Sequence, residues 1–475
     1  MATQLLIGRS KEAAILESRY RSLSAEFVAV YGRRRVGKTY LVREVFQDRL
    51  TFQHTGVANA GLRDQLDRFY ASLLRHFDAA ERWRPPQNWF EAFDLLISAL
   101  ENHANPGKKV VFLDELPWLD TRNSRFLSAL EHFWNSWASA RRDILLIVCG
   151  SAAAWMVKNL LHNKGGLHNR VTERIRLRPF TLAETDAFLK AKGGVYDPYQ
   201  TVLLYMAFGG IPFYLEKIRT DQSILQNVNA LCFHSDAPLR NEYDNLYRSL
   251  FDQADQHLKI VEALSTKKKG LDRAEIVRYT GISDGGSLTR LLQELEESHF
   301  IRKYKAFGKK QRDPLYQLVD LFSLFHHTFI KHTDPDDENF WLNAHQTPAY
   351  AAWSGYAYEM VCLLHLPQIK EALGIRGVQT SVSSWHNAEA QVDLVIDRKD
   401  QVIHLCEIKF SLAPFAISKA YSENLHRKVN AFREATGTRK AIFLTLISTY
   451  GLAPGPYAGL VQNDIRMEAL FKEVE

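Results

Sequence analysis

Near its N-terminus the chain reads Val28-Ala-Val-Tyr-Gly32-Arg-Arg-Arg-Val-Gly37-Lys38-Thr39-Tyr-Leu-Val-Arg-Glu-Val-Phe46. This stretch predicts, in order, an apolar strand, a G-x-x-x-x-G-K-T loop and a helix. The glycines allow the loop to wrap a phosphate with backbone N–H groups, and the start of the helix adds a partial positive charge. The stretch therefore predicts a site for a nucleotide phosphate in an α/β domain.

Two side chains of this loop have defined chemistry. Lys38 would reach the β- and γ-phosphates of a nucleotide, and the Thr39 hydroxyl would hold Mg²⁺. ATP and Mg²⁺ are therefore the expected cofactors. The residues expected to contact the nucleotide here are Gly32, Arg33, Arg34, Arg35, Val36, Gly37, Lys38, Thr39 and Tyr40.

Length, composition and charge limit the number of domains and the kinds of partner that we expect for this chain. A chain of 475 residues, of which 46% are hydrophobic, is long enough for about three domains with apolar cores. Its net charge of +6 permits nucleic-acid binding without requiring it. No apolar run in the sequence approaches the roughly 20 residues of a membrane span, so we expect no membrane partner. Scattered cysteines without metal-ligand spacing predict a cytoplasmic protein without disulfides or a zinc site: Cys149, Cys232, Cys362 and Cys406.

Residues 1–180 alternate strand-like and helix-like segments, which is typical of an α/β sheet. The candidate strands are Phe27–Tyr31, Leu50–Thr55, Lys109–Asp114, Ile144–Cys149 and Glu173–Leu177.

Two of these strands are expected to end in catalytic side chains. Asp114 could hold Mg²⁺ through water, and Glu115 could polarise the attacking water as a general base. The alternative is a core strand that ends in two acids without such a role. Ser151 follows the next apolar strand, where its hydroxyl could bond the γ-phosphate or the water and report hydrolysis.

These motifs resemble those of the prokaryotic "archaeal ATPase" group of AAA+/STAND P-loop ATPases. The family's Walker A, Walker B and sensor positions correspond to Tyr31–Thr39, Leu113–Glu115 and Cys149–Ser151. The resemblance implies a parallel sheet with a helical lid, a winged helix after it, and ATP hydrolysis.

Weaker parts of the resemblance add further expected contacts. The stretch Ile7–Glu12 is similar to the family's G-R-E box near the base, which implies nucleotide contacts from Gly8 and Arg9. Gly209-Gly210-Ile-Pro212 is similar to the lid motif, which implies a contact from Pro212; the same residues predict a turn followed by a helix start. The chain departs from the family pattern at Ser10, where Glu is usual, and at His168-Asn169-Arg170, where Gly-Arg is usual.

Residues 246–335 are expected to form the winged helix. Two short helices, Asp272–Thr280 and Leu288–Ser298, precede a β-pair; the second helix would enter the major groove while the hairpin contacts phosphates. The alternative is a winged helix that only packs against the ATPase core. The basic residues are Lys267, Lys268, Lys269, Arg273, Arg290, Arg302, Lys303, Lys305, Lys309, Lys310 and Arg312, and the second helix also carries acids, Glu294, Glu296 and Glu297.

The C-terminal part carries an acid–acid–lysine pattern on two predicted strands. Period-2 alternation puts Glu407 and Lys409 on one face, while Asp393 lies on the preceding strand and Glu359 on a helix. This order resembles the PD-(D/E)xK nuclease superfamily, whose last helix carries a basic residue, here Lys428. The resemblance implies that Asp393 and Glu407, with Glu359, bind Mg²⁺ or Mn²⁺, and that Lys409 positions the nucleophile and stabilises developing charge.

This site imposes a condition on the hairpin. With an even number of loop residues, Asp393 would pair with Cys406 and Glu407 would face away. An odd loop near Arg398–Gln401, or a bulge, is needed to bring the two acids to one face, and we predict one. The alternative is an inert domain of the same fold.

The expected domains are an ATPase core (1–180), a helical lid (181–245), a winged helix (246–335) and an α/β restriction-endonuclease-like domain (336–475), with Lys331–Asn339 as the linker. Two functions stay open. One is an ATP-driven switch that controls a DNA nuclease; the other is a regulatory ATPase that binds DNA or protein without cleavage. A homo-oligomer is compatible with both, and no small-molecule substrate other than the nucleotide is expected.

Overall fold

The structure is a computed structural model that describes residues 6–77, 83–104, 107–161, 165–167, 169–308, 314–334, 336–344 and 347–474. It divides into two compact units, Met1–Arg178 and Pro179–Glu475. The first unit ends close to the boundary expected at residue 180. The lid, winged-helix and nuclease-like segments lie together in the second unit. No helix in the described ranges is long and apolar enough to cross a membrane.

The first unit alternates helices and strands as its sequence pattern predicts. Its elements are α1 Ser10–Arg21, β1 Glu26–Tyr31, α2 Lys38–Phe46, β2 Leu50–Thr55, α3 Leu62–His76, α4 Trp89–Asn102, β3 Lys109–Asp114, α5 Leu116–Leu119, α6 Phe126–Ser136, β4 Ile144–Gly150, α7 Ala153–Met156, a π-helical turn Val157–Leu161, and β5 Glu173–Arg176. All five predicted strands are confirmed, with ends that differ by one residue at most.

These strands form one parallel sheet in the order β2-β3-β4-β1-β5. Strands β3 and β4 are buried along their whole length, which explains their unbroken apolar sequences. Because β4 lies between β1 and β3, the residues that follow these three strands meet at one edge of the sheet.

Aromatic side chains fill the core on one side of this sheet. Phe69 of α3 contacts Phe52 of β2 and Trp89 of α4 with ring centroids 5.3 and 5.4 Å apart. Trp89 in turn contacts Phe126 of α6 at 4.9 Å. These helices therefore hold the strands whose ends carry the candidate site.

The second unit is helical at first and ends in a mixed sheet. Its elements are α8 Leu182–Ala191, α9 Pro198–Phe208, α10 Pro212–Leu215, α11 Ile224–Cys232, α12 Glu242–Arg248, α13 Ala254–Ser265, α14 Arg273–Thr280, α15 Gly286–Glu297, β6 Ile301–Tyr304, β7 Leu315–Leu318, α16 Leu321–Thr328, α17 Phe340–Ala344, α18 Pro348–Leu364, α19 Leu366–Ala372, β8 Thr380–His386, β9 Gln391–Arg398, β10 Val402–Lys409, α20 Lys419–Thr436, β11 Ala441–Ser448 and β12 Asn463–Arg466.

The turn predicted at Gly209-Gly210-Ile-Pro212 is confirmed. Gly209 ends α9 at φ +68°, and Pro212 is the first residue of α10. Gly210 has φ +67°, and a Cβ there would lie 2.3 Å from the Phe180 carbonyl oxygen, so only glycine fits. In this structure the motif therefore shapes the path of the chain within the second unit.

A histidine ties the start of α8 to the end of α18. The backbone N–H of Leu182 donates to His365 Nε2 at 2.9 Å, and His365 Nδ1 lies 2.8 Å from the Val361 carbonyl oxygen. The two contacts require the proton on Nδ1. His365 thus satisfies an N–H of α8 that has no partner inside its own helix.

The predicted winged-helix elements are present, with Asp272 capping α14 and β6 paired antiparallel to β7. Lys309, Lys310 and Arg312 lie outside the described residues. The predicted linker is tied down at Glu338, whose carbonyl accepts from Asn229 Nδ2 at 2.6 Å. It is therefore not a boundary between compact units.

The C-terminal sheet has the order β12-β11-β10-β9-β8. Strands β8, β9 and β10 are antiparallel, whereas β10, β11 and β12 run parallel. Helix α20 makes the crossover between β10 and β11, and Phe432 of α20 packs on Trp385 of β8 with centroids 5.2 Å apart. The order of a helix with Glu359, strands with Asp393 and Glu407, and a helix with Lys428 is the one that the sequence predicts, whereas β8 was not predicted.

Candidate functional sites

The G-x-x-x-x-G-K-T loop is held in a closed shape at the end of β1. A Cβ on Gly32 (φ +150°) would lie 2.2 Å from the Leu177 carbonyl oxygen, and Gly37 has φ +88° where α2 begins. Lys38 Nζ donates to the carbonyl oxygens of Gly32 (3.1 Å) and Arg33 (2.9 Å). The loop thus places an ammonium group and a helix N-terminus together, a pairing that fits a nucleotide phosphate.

Oxygen ligands for a magnesium ion lie beside this loop. Thr39 Oγ1 donates to Asp114 Oδ2 at 2.8 Å, and the Glu115 N–H donates to Asp114 Oδ1 at 3.0 Å. A hydroxyl and a buried carboxylate at this distance suit Mg²⁺, which prefers one or two protein oxygens plus phosphate and water. The residues present therefore fit both ATP and Mg²⁺.

Glu115 and Ser151 contact each other directly. Glu115 has φ +48°, and its Oε2 accepts from Ser151 Oγ at 2.7 Å and from the Ser151 N–H at 3.2 Å. A Cβ on Gly56 would lie 2.8 Å from the Glu115 carbonyl oxygen, so a glycine at the end of β2 makes room for this backbone. In this structure the Ser151 hydroxyl orients the Glu115 carboxylate, and its predicted contact with the phosphate or the water stays a prediction.

Arg9 has a role that the sequence analysis missed. Its Nη2 donates to the carbonyl oxygens of Val36 (3.1 Å) and Arg178 (2.7 Å), and its side chain is buried. Arg9 therefore connects the G-x-x-x-x-G-K-T loop to the backbone at Arg178 and stabilises the shape of the loop. The spacing from Gly8-Arg9 to the loop gave no signal of this contact.

The other predicted nucleotide contacts differ in exposure. The Arg33 side chain is buried, Arg34 and Arg35 are half-buried, and Tyr40 is exposed. Arg170, where the chain departs from the family pattern, is also exposed.

In the second unit, the β9–β10 hairpin has the odd register that we predicted. Asp397 pairs with Ile403 and Leu394 with Cys406, so continuing by one residue sets Asp393 opposite Glu407. The loop between the strands has three residues, 399–401, and Gln401 adopts φ +71°. Three-residue hairpin loops characteristically end in such a left-handed residue. Asp393 and Glu407 therefore lie on one face of the sheet.

Glu407 is held by several partners. Tyr421 of α20 donates its hydroxyl to Glu407 Oε2 at 2.7 Å, and Lys428 of the same helix pairs with Oε1 at 2.5 Å. Lys409 Nζ lies 3.8 Å from Glu407 Oε2. The structure thus brings together the E-x-K pair and the basic residue expected on the last helix; Tyr421 was not predicted.

Glu359 of α18 lies near this pair without joining a metal group. Burial, together with the nearby charge of Asp393, raises the pKa of Glu359 to about 8. Within the described ranges, no three or more His, Cys, Asp or Glu side chains are placed to hold a metal ion. The expectation that Glu359 joins Asp393 and Glu407 in a three-carboxylate metal site is therefore not met among these residues.

A cavity of about 210 Å³ opens at these carboxylates. Glu359 and Asp393 line it together with cations of the winged-helix segment, Lys268, Lys269 and Arg302. The sequence analysis left open whether these cations contact DNA. In the structure they line this cavity beside Glu359 of α18 and Asp393 of β9.

Comparisons with known proteins agree with the first site. Residues 6–218 match the family model described as an ATPase domain predominantly from Archaea. An uncharacterised protein of Methanocaldococcus jannaschii is 23% identical over 429 residues, which are 89% of this chain and 92% of that protein.

Solved structures also align with the chain. A Walker-type ATPase of Pyrococcus abyssi has 17% identity and a TM-score of 0.48, over 68% of this chain and 96% of that one. An ORC2 protein of Aeropyrum pernix has 13% identity and a TM-score of 0.40, over 67% and 92%. The family match and the geometry of Lys38, Thr39, Asp114 and Glu115 together support a P-loop ATPase domain in this chain, which over residues 6–218 is similar to the ATPase domain found predominantly in Archaea.

Proposed function

We propose that this chain is an ATP-driven switch that controls a metal-dependent DNA nuclease site in its second unit. The observation that carries the proposal is the hairpin register that sets Asp393 opposite Glu407, beside Lys409. Two carboxylates and a lysine on one face supply what hydrolysis of a phosphodiester needs.

In the ATPase half, Lys38 would bind the phosphates, and Thr39 and Asp114 would hold Mg²⁺, which would neutralise charge on the phosphates. Glu115 Oε2 accepts both hydrogen bonds from Ser151, so Oε1 is the oxygen that would accept the proton of the attacking water. Ser151 is a positioning residue for this base.

In the nuclease half, Asp393 and Glu407 would hold Mg²⁺ or Mn²⁺, which polarises the phosphate. Mg²⁺ is usually bound by one or two carboxylates plus substrate phosphates, so two protein carboxylates suffice. Lys409 would orient the water and stabilise developing negative charge. Lys428 and Tyr421 hold Glu407 in place.

The test is a Mg²⁺- or Mn²⁺-dependent cleavage assay of the full chain on linear, circular and single-stranded DNA, with and without ATP. We expect Lys409→Ala to lose cleavage and keep ATP hydrolysis, and Lys38→Ala to lose ATP hydrolysis and the effect of ATP on cleavage. Lys303→Ala, an exposed lysine of β6, is the control for removal of a positive charge.

One observation favours a second function, a regulatory ATPase that binds DNA or protein without cutting. Glu407 is ion-paired with Lys428, as in a site whose charges are satisfied within the protein. A wild-type chain that hydrolyses ATP and cuts no DNA under any of these conditions would support this function and exclude the nuclease.

A further inference from the structure

The winged-helix segment contains a rigid turn of lysines, Lys267–Gly270, which we call the lysine turn. Gly270 has φ +79°, and a Cβ there would lie 2.2 Å from the carbonyl oxygen of Tyr316 in β7. The Gly270 N–H closes the turn on the Lys267 carbonyl at 2.8 Å. Only glycine allows this close approach, so the turn has one conformation.

Both carbonyl groups at the centre of the lysine turn are hydrogen-bonded. The Lys268 carbonyl accepts from Gln317 Nε2 (2.7 Å) and from the Tyr356 hydroxyl of α18 (2.9 Å). The Lys269 carbonyl accepts from the Tyr304 hydroxyl at 2.6 Å. These bonds fix the turn to β6, β7 and α18 at once.

The wing side of the segment is also attached to the C-terminal sheet. The Phe307 N–H donates to the Ser384 carbonyl of β8 at 2.7 Å, and the Phe307 ring lies 5.0 Å from Phe432 of α20. The lysine turn and the carboxylate face therefore belong to one packed arrangement within the second unit.

The two lysines at the centre of the turn line the same cavity as two carboxylates, Glu359 and Asp393. Lys268 donates to the Ala352 carbonyl at 2.9 Å, lies 5.4 Å from the centre of the Tyr356 ring, and favours the charged form of Glu359. Burial lowers the pKa of Lys269, whereas the Asp393 carboxylate raises it. Both lysines line the cavity with Glu359 and Asp393.

This combination suits a phosphodiester. Carboxylates alone repel the DNA backbone, so a site that binds it there needs positive charge close by. Because the backbone of the turn is already fixed, binding has to order only the side chains. A lysine ammonium contacts phosphate oxygens and carries no information about base sequence.

We propose that Lys268 and Lys269 bind the phosphate backbone of DNA next to the Asp393–Glu407 pair, so that the winged-helix segment supplies the substrate-positioning half of the nuclease site. The inference rests on the proposed function of that site. It implies that binding has no sequence preference at these contacts and that positions of the wing away from the cavity contribute little.

The experiment compares two full-length double variants that remove the same charge. Lys268→Gln/Lys269→Gln alters the lysine turn, and Lys303→Gln/Lys305→Gln removes exposed lysines of the wing. Fluorescence anisotropy of labelled single- and double-stranded DNA in EDTA, over a range of salt concentrations, measures binding without cleavage. Mg²⁺-dependent cleavage of the same DNA gives KM and kcat.

We expect the lysine-turn variant to bind DNA roughly tenfold more weakly, and the slope of log Kd against log salt to fall by about two. Its KM should rise more than its kcat falls, and Lys268→Arg/Lys269→Arg should restore binding. The wing variant should resemble wild type. Thermal unfolding of each variant verifies that it is folded.

An unchanged salt slope in the lysine-turn variant would overturn the inference, as would an equal loss in the wing variant. Faster cleavage by the lysine-turn variant would also overturn it, since the lysines would then block the carboxylates. Asp393→Asn distinguishes the two proposals, because it should lose cleavage and keep binding. If wild type never cuts but the salt slope still falls in the lysine-turn variant, the phosphate contacts stand and the nuclease function fails.

Discussion

The nucleotide site and the carboxylate site assemble their charged groups by different routes. In the first unit, Lys38, Asp114 and Ser151 follow strands that run parallel, and parallel strands end at one edge whatever lies between them. In the second unit, Asp393 and Glu407 share a face only because the hairpin between them has an odd number of loop residues. The first site should therefore tolerate changes in the length of the segments between its strands. The second site depends on the number of residues in the loop between β9 and β10.

The largest effect should come from the general base of the first site. We expect Glu115→Gln to lower kcat for ATP hydrolysis at least ~100-fold while nucleotide binding persists, since general bases contribute roughly 10²–10⁴-fold. Steady-state hydrolysis and binding of a fluorescent ATP analogue measure the two quantities. Ser151→Ala keeps the backbone N–H bond to Glu115 and should lose only about tenfold; a loss as large as that of Glu115→Gln would contradict the positioning role.

The second site should fail when its residue count changes. Deleting Asp400 makes the loop even, turns Glu407 away from Asp393, and should reduce DNA cleavage to the background of Asp393→Asn. Asp400→Asn removes the ion pair with Arg398 but keeps the register, so it should cut like wild type. ATP hydrolysis should be unchanged in both variants, and full cleavage by the deletion variant would show that the register does not matter.

Acid should destabilise the second unit more than the first. Burial lowers the pKa of His54 in the first unit to about 4. In the second unit it does the same to His326 (about 3) and to His327, His365 and His404 (about 4 each). Because the folded pKa lies below the ordinary value near 6.5, the stabilisation is complete above pH 6.5 and is lost as the pH falls towards 4.

His365 provides the test, since a second proton on Nε2 would face the Leu182 N–H. A buried histidine with these pKa values loses about 2 kcal/mol of stability between pH 7.5 and 5. We therefore expect the fall in Tm over this range to be smaller in His365→Gln than in wild type. An equal fall in both would mean that the pKa of His365 is the same in the folded and the unfolded chain.

The smallest effect should be a gain of stability in the hairpin. Gln401 is left-handed at φ +71°, which costs a non-glycine residue roughly 1 kcal/mol, so Gln401→Gly should stabilise the second unit by up to about that amount. Lys399→Gly, at the other end of the loop, should instead be neutral or destabilising. Urea unfolding of both variants measures the difference, and a loss of stability in Gln401→Gly would contradict the expectation.

The sequence predicts the first unit almost completely, because its signals are local. The strands β3 and β4 are largely apolar runs; Asp114 is the last residue of β3, and Ser151 directly follows β4. In the second unit, alternation on β9 and β10 identifies Asp393, Glu407 and Lys409, and the need for an odd loop follows from the pattern. These predictions require no knowledge of distant contacts.

The contacts that sequence reasoning missed join residues far apart in the chain. Arg9 bonds the carbonyl of Val36, and Lys269 lines a cavity with Asp393. From the sequence alone, a run of lysines indicates a surface that faces solvent or DNA. Only the packing of α18 against β7 shows that these lysines line a cavity. Likewise, no pattern indicates that Glu359 is half-buried with a raised pKa, because that depends on what covers α18.

The hydrogen bond between the Leu182 N–H and His365 Nε2 joins α8, the first helix of the second unit, directly to the end of α18. His365 directly follows α18, and Glu359 lies six residues earlier, about 9 Å along the helix axis. A displacement of α8 would therefore move the C-terminal end of α18 first, and α18 would pass the movement on to Glu359 at the carboxylate cavity. A displacement that entered through α8 would need no new contact to reach Glu359, only the stiffness of about two helical turns.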